Sequence, residues 1–173
     1  MKRVVLGASA GRNVTDMFSD EAKKTLDKIL AKYPTKKAAL LPALWLAQEE
    51  YDGWLPPAAM AEVAGYLDLS PAEVEGVATF YTMYNKQPVG RFHIEVCHNI
   101  VCMVRGADEL IAHIGSKLGI QPGETTEDNR FTLNTAECLG ACANAPCLMI
   151  KDKYYEDMTA EKADELIDEL VKA

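Results

Sequence analysis

This 173-residue sequence contains five cysteines, and all of them lie in its second half. Their residue type and spacing make them the candidates for metal binding or redox chemistry. Four residues separate Cys97 from Cys102, and three residues separate Cys138 from Cys142. The two pairs are 35 residues apart, and Cys147 follows the second pair. Thiolates that meet at one point bind soft metal ions or iron–sulfur clusters. The spacing therefore predicts a metal centre built from the two pairs.

Three kinds of centre compete for these four thiolates. Structural zinc usually takes tight cysteine pairs around one ion, and the gap between Cys97 and Cys102 is wide for that. The wider gap favours a [2Fe–2S] cluster with four Cys ligands. Thiol–disulfide chemistry usually uses a C-x-x-C spacing that neither pair has, and a Rieske centre needs two histidines. His98, beside Cys97, is expected to be a loop residue. Zinc and redox or structural thiols stay open as alternatives.

The residues around the pairs suit a cluster. Residues 139–141 are small and flexible, so backbone N–H groups can turn toward the sulfurs and influence the reduction potential. Glu95 and Glu137 add negative charge that disfavours reduction, whereas Arg105 acts in the opposite direction. Cys147 lies among apolar residues and is predicted to be a small buried strand residue, not a ligand.

The second half must supply the elements that position these cysteines. Apolar patterning predicts the order β-α-β-β-β-α, a small α/β sandwich with a mixed sheet. The predicted strands are residues 91–97, 131–136, 147–151 and 153–156, and the predicted helices are residues 106–118 and a final helix capped by Thr159. Because Cys97 closes the first strand and Cys138 follows the second, two neighbouring strands would deliver both cysteine loops to the same edge of the sheet.

The first half predicts helices. Ser19 and Thr35 are candidate N-caps, and Ser70 with Glu73 forms a capping-box pattern around Pro71. Four short helices between residues 19 and 84 make a bundle with a thin core. Residues 85–90 are a linker by composition.

Composition and charge exclude several classes of protein. A hydrophobic fraction of 49% and a charged fraction of 25% are ordinary for a folded chain and exclude whole-chain disorder. The longest apolar run, residues 38–47, is too short for a membrane span. The net charge is −8, of which −7 falls on residues 91–173, and this acidity argues against nucleic acid or an anionic membrane as a partner.

Two N-terminal patterns are expected to be incidental. The start mimics a signal peptide but has too short an apolar core, so a reducing cytoplasm is the expected compartment. Residues 7–11 match G-x-S-x-G, yet too few residues precede them to build the strand that this motif needs. The sequence also contains no phosphate-binding glycine motif and no motif with an acid–base pair.

Three further patterns make the sequence recognisable. They are the stretch ECLGAC at residues 137–142 followed by Ala145 and Pro146, the stretch GVATFYTMY at residues 76–84, and the Cys97-x4-Cys102 pair followed by Arg105 and Gly106. Together they resemble the family of the 24-kDa subunit of NADH:quinone oxidoreductase, respiratory complex I, which is a thioredoxin-like [2Fe–2S] ferredoxin. The resemblance covers roughly residues 19–173.

The resemblance implies an α+β fold in which an N-terminal helical bundle precedes a thioredoxin-like domain with a mixed four-stranded sheet. The expected divisions are a flexible segment at residues 1–18, the bundle at 19–87 and the ferredoxin domain at 88–173. The implied ligands of one [2Fe–2S] cluster are Cys97, Cys102, Cys138 and Cys142.

The resemblance also implies that the chain is an electron-transfer component of an oxidoreductase, without an NADH site of its own. Its expected partner is the flavoprotein subunit that binds NADH, FMN and a [4Fe–4S] cluster, with the [2Fe–2S] cluster close to the FMN. The expected location is the cytoplasmic face of the inner membrane, peripherally and without membrane insertion.

The sequence departs from the family at two positions. The family often has Pro where Val101 stands and an aliphatic residue where Cys147 stands, and neither change removes a ligand. Three other functions compete with the one implied: the same module in an NAD-linked hydrogenase or formate dehydrogenase, a zinc-stabilised interaction module, and a thiol-redox sensor with Cys147 as the resolving thiol.

Overall fold

A computed structural model describes residues 18–172, which fall into two compact units divided between Pro88 and Val89. The signal-like start, the G-x-S-x-G match and all of the predicted flexible segment except Phe18 lie outside the described residues. Phe18 itself is buried, and its backbone N–H donates to a Glu62 carboxylate oxygen at 2.9 Å. Between residues 18 and 172 no helix combines the length and apolar character that a membrane crossing requires.

The first unit consists of helices, as predicted. They are α1 Asp20–Leu30, α2 Leu40–Glu50, α3 Pro57–Leu67 and α4 Pro71–Phe80, and a 3₁₀ turn, Lys36–Ala39, leads into α2. The predicted caps form: the Ser19 hydroxyl accepts from the Ala22 N–H, and Ser70 and Glu73 make a reciprocal capping box. These bonds satisfy N–H groups that a helix start leaves without an intrahelical partner.

The helices of this unit share one apolar core. Its fully buried side chains include Leu26, Leu44, Val63 and Val74. Each such side chain contributes about 1.5–3 kcal/mol through burial. Tyr84, beyond α4, is also buried and donates its hydroxyl to the Leu41 carbonyl at 2.9 Å, which satisfies the one polar atom of that ring.

The second unit contains a mixed four-stranded sheet and three helices, which confirms the predicted fold class. Its elements are β1 Phe92–Cys97, α5 Ile100–Val104, α6 Ala107–Leu118, β2 Phe131–Ala136, β3 Leu148–Ile150, β4 Lys153–Tyr155 and α7 Ala160–Lys172, with a 3₁₀ turn at Cys142–Asn144. The strand order is β2-β1-β3-β4. β1 runs parallel to β2 and antiparallel to β3, and β3 and β4 form an antiparallel pair.

One helix of this unit was not predicted from the sequence. α5 has five residues and begins shortly after Cys97, where Asn99 caps it by accepting from the Ile100 N–H at 2.9 Å. A helix of little more than one turn is too short for apolar periodicity to reveal. This helix turns the chain back, so that the Cys102 sulfur lies within 4.8 Å of the Cys97 sulfur at the end of β1.

The core of the second unit lies between the sheet and its two long helices. Ile94 on β1, Leu133 on β2, Ile114 on α6 and Ile167 on α7 are all buried and belong to one apolar cluster. This packing holds the carboxyl ends of β1 and β2 in place, and the cysteine loops begin there.

Candidate metal centre

Both cysteine loops leave the sheet at the same edge, as the sequence predicted. β1 and β2 are parallel, and Cys97 at the end of β1 pairs in register with Ala136 at the end of β2. Beyond that pair, the His98 backbone N–H donates to the Ala136 carbonyl at 2.8 Å. Cys138 follows two residues after Ala136, so the carboxyl ends of two parallel strands bring both loops together.

Three buried thiols lie together at this edge. The sulfur atoms of Cys97, Cys102 and Cys147 are all within 4.8 Å of one another, and each residue is at most 2% exposed. Cys147 immediately precedes β3, the antiparallel neighbour of β1, and its carbonyl accepts from the Cys97 N–H at 3.0 Å. The predicted burial of Cys147 is confirmed, but its place against the two thiols of the first pair was missed.

The surroundings of Cys97 favour its thiolate. Burial by itself raises the pKa of the Cys97 thiol, but hydrogen bonds to its sulfur outweigh burial and lower the pKa. The backbone N–H of Leu139, between the two cysteines of the second pair, makes the largest such contribution. The Asn99 N–H and the thiols of Cys102 and Cys147 also donate to this sulfur. These hydrogen bonds favour the thiolate, which is the form of cysteine that binds metals.

The other two thiols of the group hold their protons more strongly. Burial, and then the hydrogen bond to Cys97, raise the pKa of the Cys102 thiol, although the Cys147 N–H donates to its sulfur. Burial and the neighbouring sulfurs of Cys102 and Cys97 raise the pKa of Cys147 to about 12. Cys147 therefore remains a protonated thiol at neutral pH.

The second pair lies beside this buried group rather than in it. Cys138 follows β2 and Cys142 begins the 3₁₀ turn, and both residues are exposed. Their sulfurs do not belong to the group within 4.8 Å. Leu139 and Ala141, the residues between them, pack against the buried thiols, so the second pair flanks the first.

This arrangement fits a [2Fe–2S] cluster. Each iron of such a cluster takes two thiolates, and sulfurs on different irons lie further apart than sulfurs on the same iron. One close pair, Cys97 and Cys102, together with a flanking second pair on an open loop could provide such a donor set. Gly140 gives the loop its turn, because its φ of +79° is a conformation that side chains with a Cβ rarely adopt.

Two polar side chains near the loops are engaged elsewhere. His98 Nε2 lies 2.8 Å from an Asp108 carboxylate oxygen, in agreement with the expectation of a loop residue. Arg105 donates its Nε–H to the Ala145 carbonyl at 3.4 Å, which places its positive charge at the rim of the thiol group.

The surface next to the thiols is apolar. On α5 only Cys102 is buried, while Ile100 is 73% exposed and Val104 82% exposed, and Val101 and Met103 are exposed as well. Exposed apolar side chains on a helix that carries a candidate ligand are typical of a surface that another protein covers.

Comparison with known proteins identifies the family. The family described as "Thioredoxin-like [2Fe-2S] ferredoxin" matches residues 26–171. This chain belongs to that family. Membership confirms the predicted thioredoxin-like fold and the predicted cofactor, one [2Fe–2S] cluster, and it leaves no support for the zinc module or the thiol sensor. Which four of the five cysteines hold the cluster stays a prediction.

Relatives of this ferredoxin confirm the resemblance seen in the sequence. The E-type subunit of the NADH-quinone oxidoreductase of Rickettsia felis is 48% identical over 154 residues, covering 88% of this chain and 92% of the relative. "NADH dehydrogenase [ubiquinone] flavoprotein 2, mitochondrial" of Dictyostelium discoideum is 45% identical over 155 residues, covering 88% of this chain and 63% of the relative.

A solved structure is similar as well. The NAD⁺-reducing [NiFe]-hydrogenase in its H₂-reduced state superposes with a TM-score of 0.67 at 28% identity over 77% of this ferredoxin. The match covers only 22% of the hydrogenase chain, so this ferredoxin spans about a fifth of that protein.

Proposed function

We propose that this chain is the electron-transfer subunit of an NADH:quinone oxidoreductase. We further propose that Cys97, Cys102, Cys138 and Cys142 hold its [2Fe–2S] cluster. The observation that carries the proposal is the common edge at which both cysteine loops leave β1 and β2, with the Leu139 N–H of one loop on the Cys97 sulfur of the other. Relatives named as components of that complex support the assignment.

When bound, the cluster supplies a site that accepts and releases one electron. The residues of this chain bind and shield it. Cys97 and Cys102 are buried and exclude water from one side, while Leu139 and Ala141 pack across the thiols from the other loop. N–H groups aimed at a ligand sulfur stabilise its negative charge and so influence the reduction potential.

The partner we propose is the flavoprotein subunit that binds NADH, FMN and a [4Fe–4S] cluster. The exposed apolar residues of α5 support this choice, since they surround Cys102 and an electron donor or acceptor must come close to the cluster. We also propose that the chain lies at the cytoplasmic face of the inner membrane, as a peripheral part of the complex.

Electron exchange with the flavoprotein tests the function. The full chain is mixed anaerobically with the flavoprotein of the same organism in two separate experiments. In the first, the reduced chain is added to the oxidised flavoprotein; in the second, NADH is added to the flavoprotein together with the oxidised chain. We expect the visible absorbance of the cluster and the flavin to change together in at least one direction. If neither direction gives exchange although the two proteins bind, the electron-transfer role is wrong.

The hydrogenase likeness favours a second candidate, the same module in an NAD-linked hydrogenase. The identity of 45–48% to oxidoreductase subunits, against 28% to the hydrogenase, favours the first. An affinity-tagged chain distinguishes them: the first predicts copurified NADH:quinone reductase activity from solubilised membranes, and the second predicts copurified nickel.

A further inference from the structure

Cys147 is a buried thiol that the proposed ligand set does not use. Its side chain is fully buried, and its sulfur lies within 4.8 Å of the sulfurs of both Cys97 and Cys102. Its single S–H proton can therefore be directed at either of these two sulfurs. An aliphatic side chain at this position would fill the space without offering a donor.

The backbone fixes this thiol in place from two sides. The Cys97 N–H donates to the Cys147 carbonyl at 3.0 Å, and the Cys147 N–H donates to the Cys102 sulfur. β3 begins at the next residue and is paired with β1, so the Cys147 backbone cannot move without disturbing the sheet. Because Cys97 and Cys102 are both buried, their sulfurs are shielded from solvent.

We propose that Cys147 is a positioning residue whose S–H donates to one of its two neighbouring ligand sulfurs, Cys97 or Cys102, and raises the reduction potential of the cluster. The inference rests on the proposed function, because it takes both cysteines as cluster ligands. Ligand cysteines are thiolates, so within the group of three the proton of Cys147 is the one that remains.

The direction follows from charge. Reduction adds one negative charge, which the ligand sulfurs share, so a donor to those sulfurs stabilises the reduced form more than the oxidised form. Removing the donor should therefore lower the potential. A replacement that retains a donor of similar size should not.

Two variants of nearly equal volume separate the hydrogen bond from packing. Cys147→Ser keeps a donor, and Cys147→Ala removes it. Each full chain is purified anaerobically with its cluster and titrated potentiometrically, with the EPR signal of the reduced cluster as the readout. Ile167→Val, a small change in the buried core on α7, controls for core perturbation in general.

We expect Cys147→Ala to lower the ratio of reduced to oxidised cluster at a fixed potential about tenfold. For a one-electron couple this corresponds to a reduction potential that is lower by about 59 mV. Cys147→Ser and Ile167→Val should stay close to the parent. An exchangeable proton coupled to the reduced cluster should also be lost in Cys147→Ala, as seen by electron–nuclear double resonance in H₂O and D₂O. If Cys147→Ala takes up no cluster, Cys147→Val serves as the donor-free variant with the same expected shift.

Equal potentials in the Ala and Ser variants, or an Ala variant that matches the parent, would overturn the inference and leave the proposed function standing. A parent chain without any [2Fe–2S] signal would instead count against the proposed function.

Discussion

At the scale of single residues, hydrogen bonds from the chain to sulfur distinguish the three buried cysteines. Cys97 receives the Leu139 and Asn99 N–H groups, whereas Cys147 mainly donates. The same chemical group thus has two different roles within 4.8 Å. The hydrogen bonds that each environment provides, more than the thiol itself, therefore decide which cysteine holds its proton more weakly.

His93 gives a prediction about pH. Burial lowers the pKa of His93 to about 4, and its Nε2 accepts from the Asn134 side-chain amide at 2.8 Å, which requires the neutral ring. The pKa in the unfolded chain is near 6.5, so the unfolded chain binds the proton more strongly. Stability therefore falls as the pH drops from about 6.5 toward 4.

NMR titration measures this directly. The His93 ring signal, assigned by its absence in His93→Gln, should keep its neutral-form shift between pH 8 and 5. In urea unfolding, the parent should lose about 2 kcal/mol more than His93→Gln between pH 7 and 5. A His93 ring that titrates near pH 6.5 would contradict the prediction.

At the scale of elements, α5 both places Cys102 and presents an apolar surface. We expect Val104→Glu to weaken binding of the flavoprotein at least tenfold, because a buried unpaired carboxylate at the interface is costly. The iron content should not change, since Val104 is 82% exposed. Calorimetric titration of the two proteins measures the affinity.

Val171→Glu is the matched control for this variant. Val171 is also an exposed valine of the second unit, 49% exposed, but lies near the end of α7. The Val171→Glu chain should bind the flavoprotein with the same affinity as the parent chain. Equal affinities for Val104→Glu and the parent would exclude α5 from the interface.

The start of β1 depends on a close approach of two backbones. A Cβ on Gly90 would lie 2.9 Å from backbone atoms of Arg130 and Phe131, and the Gly90 N–H donates to Thr132 Oγ1. We expect Gly90→Ala to lower the free energy of unfolding by about 1–3 kcal/mol, because the two chain segments must separate. Urea unfolding followed by circular dichroism measures it.

Gly65→Ala is the comparison for that substitution. Gly65 lies inside α3 with nothing within 4 Å of the added Cβ. Alanine there should raise stability by about 0.5–1 kcal/mol. A Gly90→Ala chain as stable as the parent would show that the strands tolerate the extra carbon.

The sequence reveals elements with long periodic patterns and misses short ones. Within residues 18–172, local patterns in the sequence predict six of the seven α-helices, all four strands and the Ser70 capping box. α5 is not predicted, since five residues do not define a period. The meeting of Cys147 with Cys97 is also hidden, because it arises from the pairing of β3 with β1, which no local pattern encodes.

At the scale of the whole molecule, the chain divides near residue 88 into a helical unit and a sheet-containing unit. The domain boundaries predicted from the sequence remain a prediction. All five cysteines and a separate buried core belong to the second unit. A chain of residues 89–173 should therefore fold and take up two irons alone.

Circular dichroism and iron analysis of two fragments test this independence. Residues 89–173 should be coloured and folded, and residues 1–88 should be helical and free of iron. A colourless or unfolded 89–173 fragment would mean that the second unit needs the first in order to assemble its cluster.

The most direct test of the account is the iron, zinc and acid-labile sulfide content of the anaerobically purified full chain and of two alanine variants. The parent should contain two irons and two sulfides per chain. Cys142→Ala should lose them, although Cys142 is exposed and its replacement leaves the core intact. Cys147→Ala should keep them. One zinc ion in a colourless parent, or a cluster that survives Cys142→Ala and disappears in Cys147→Ala, would contradict the account.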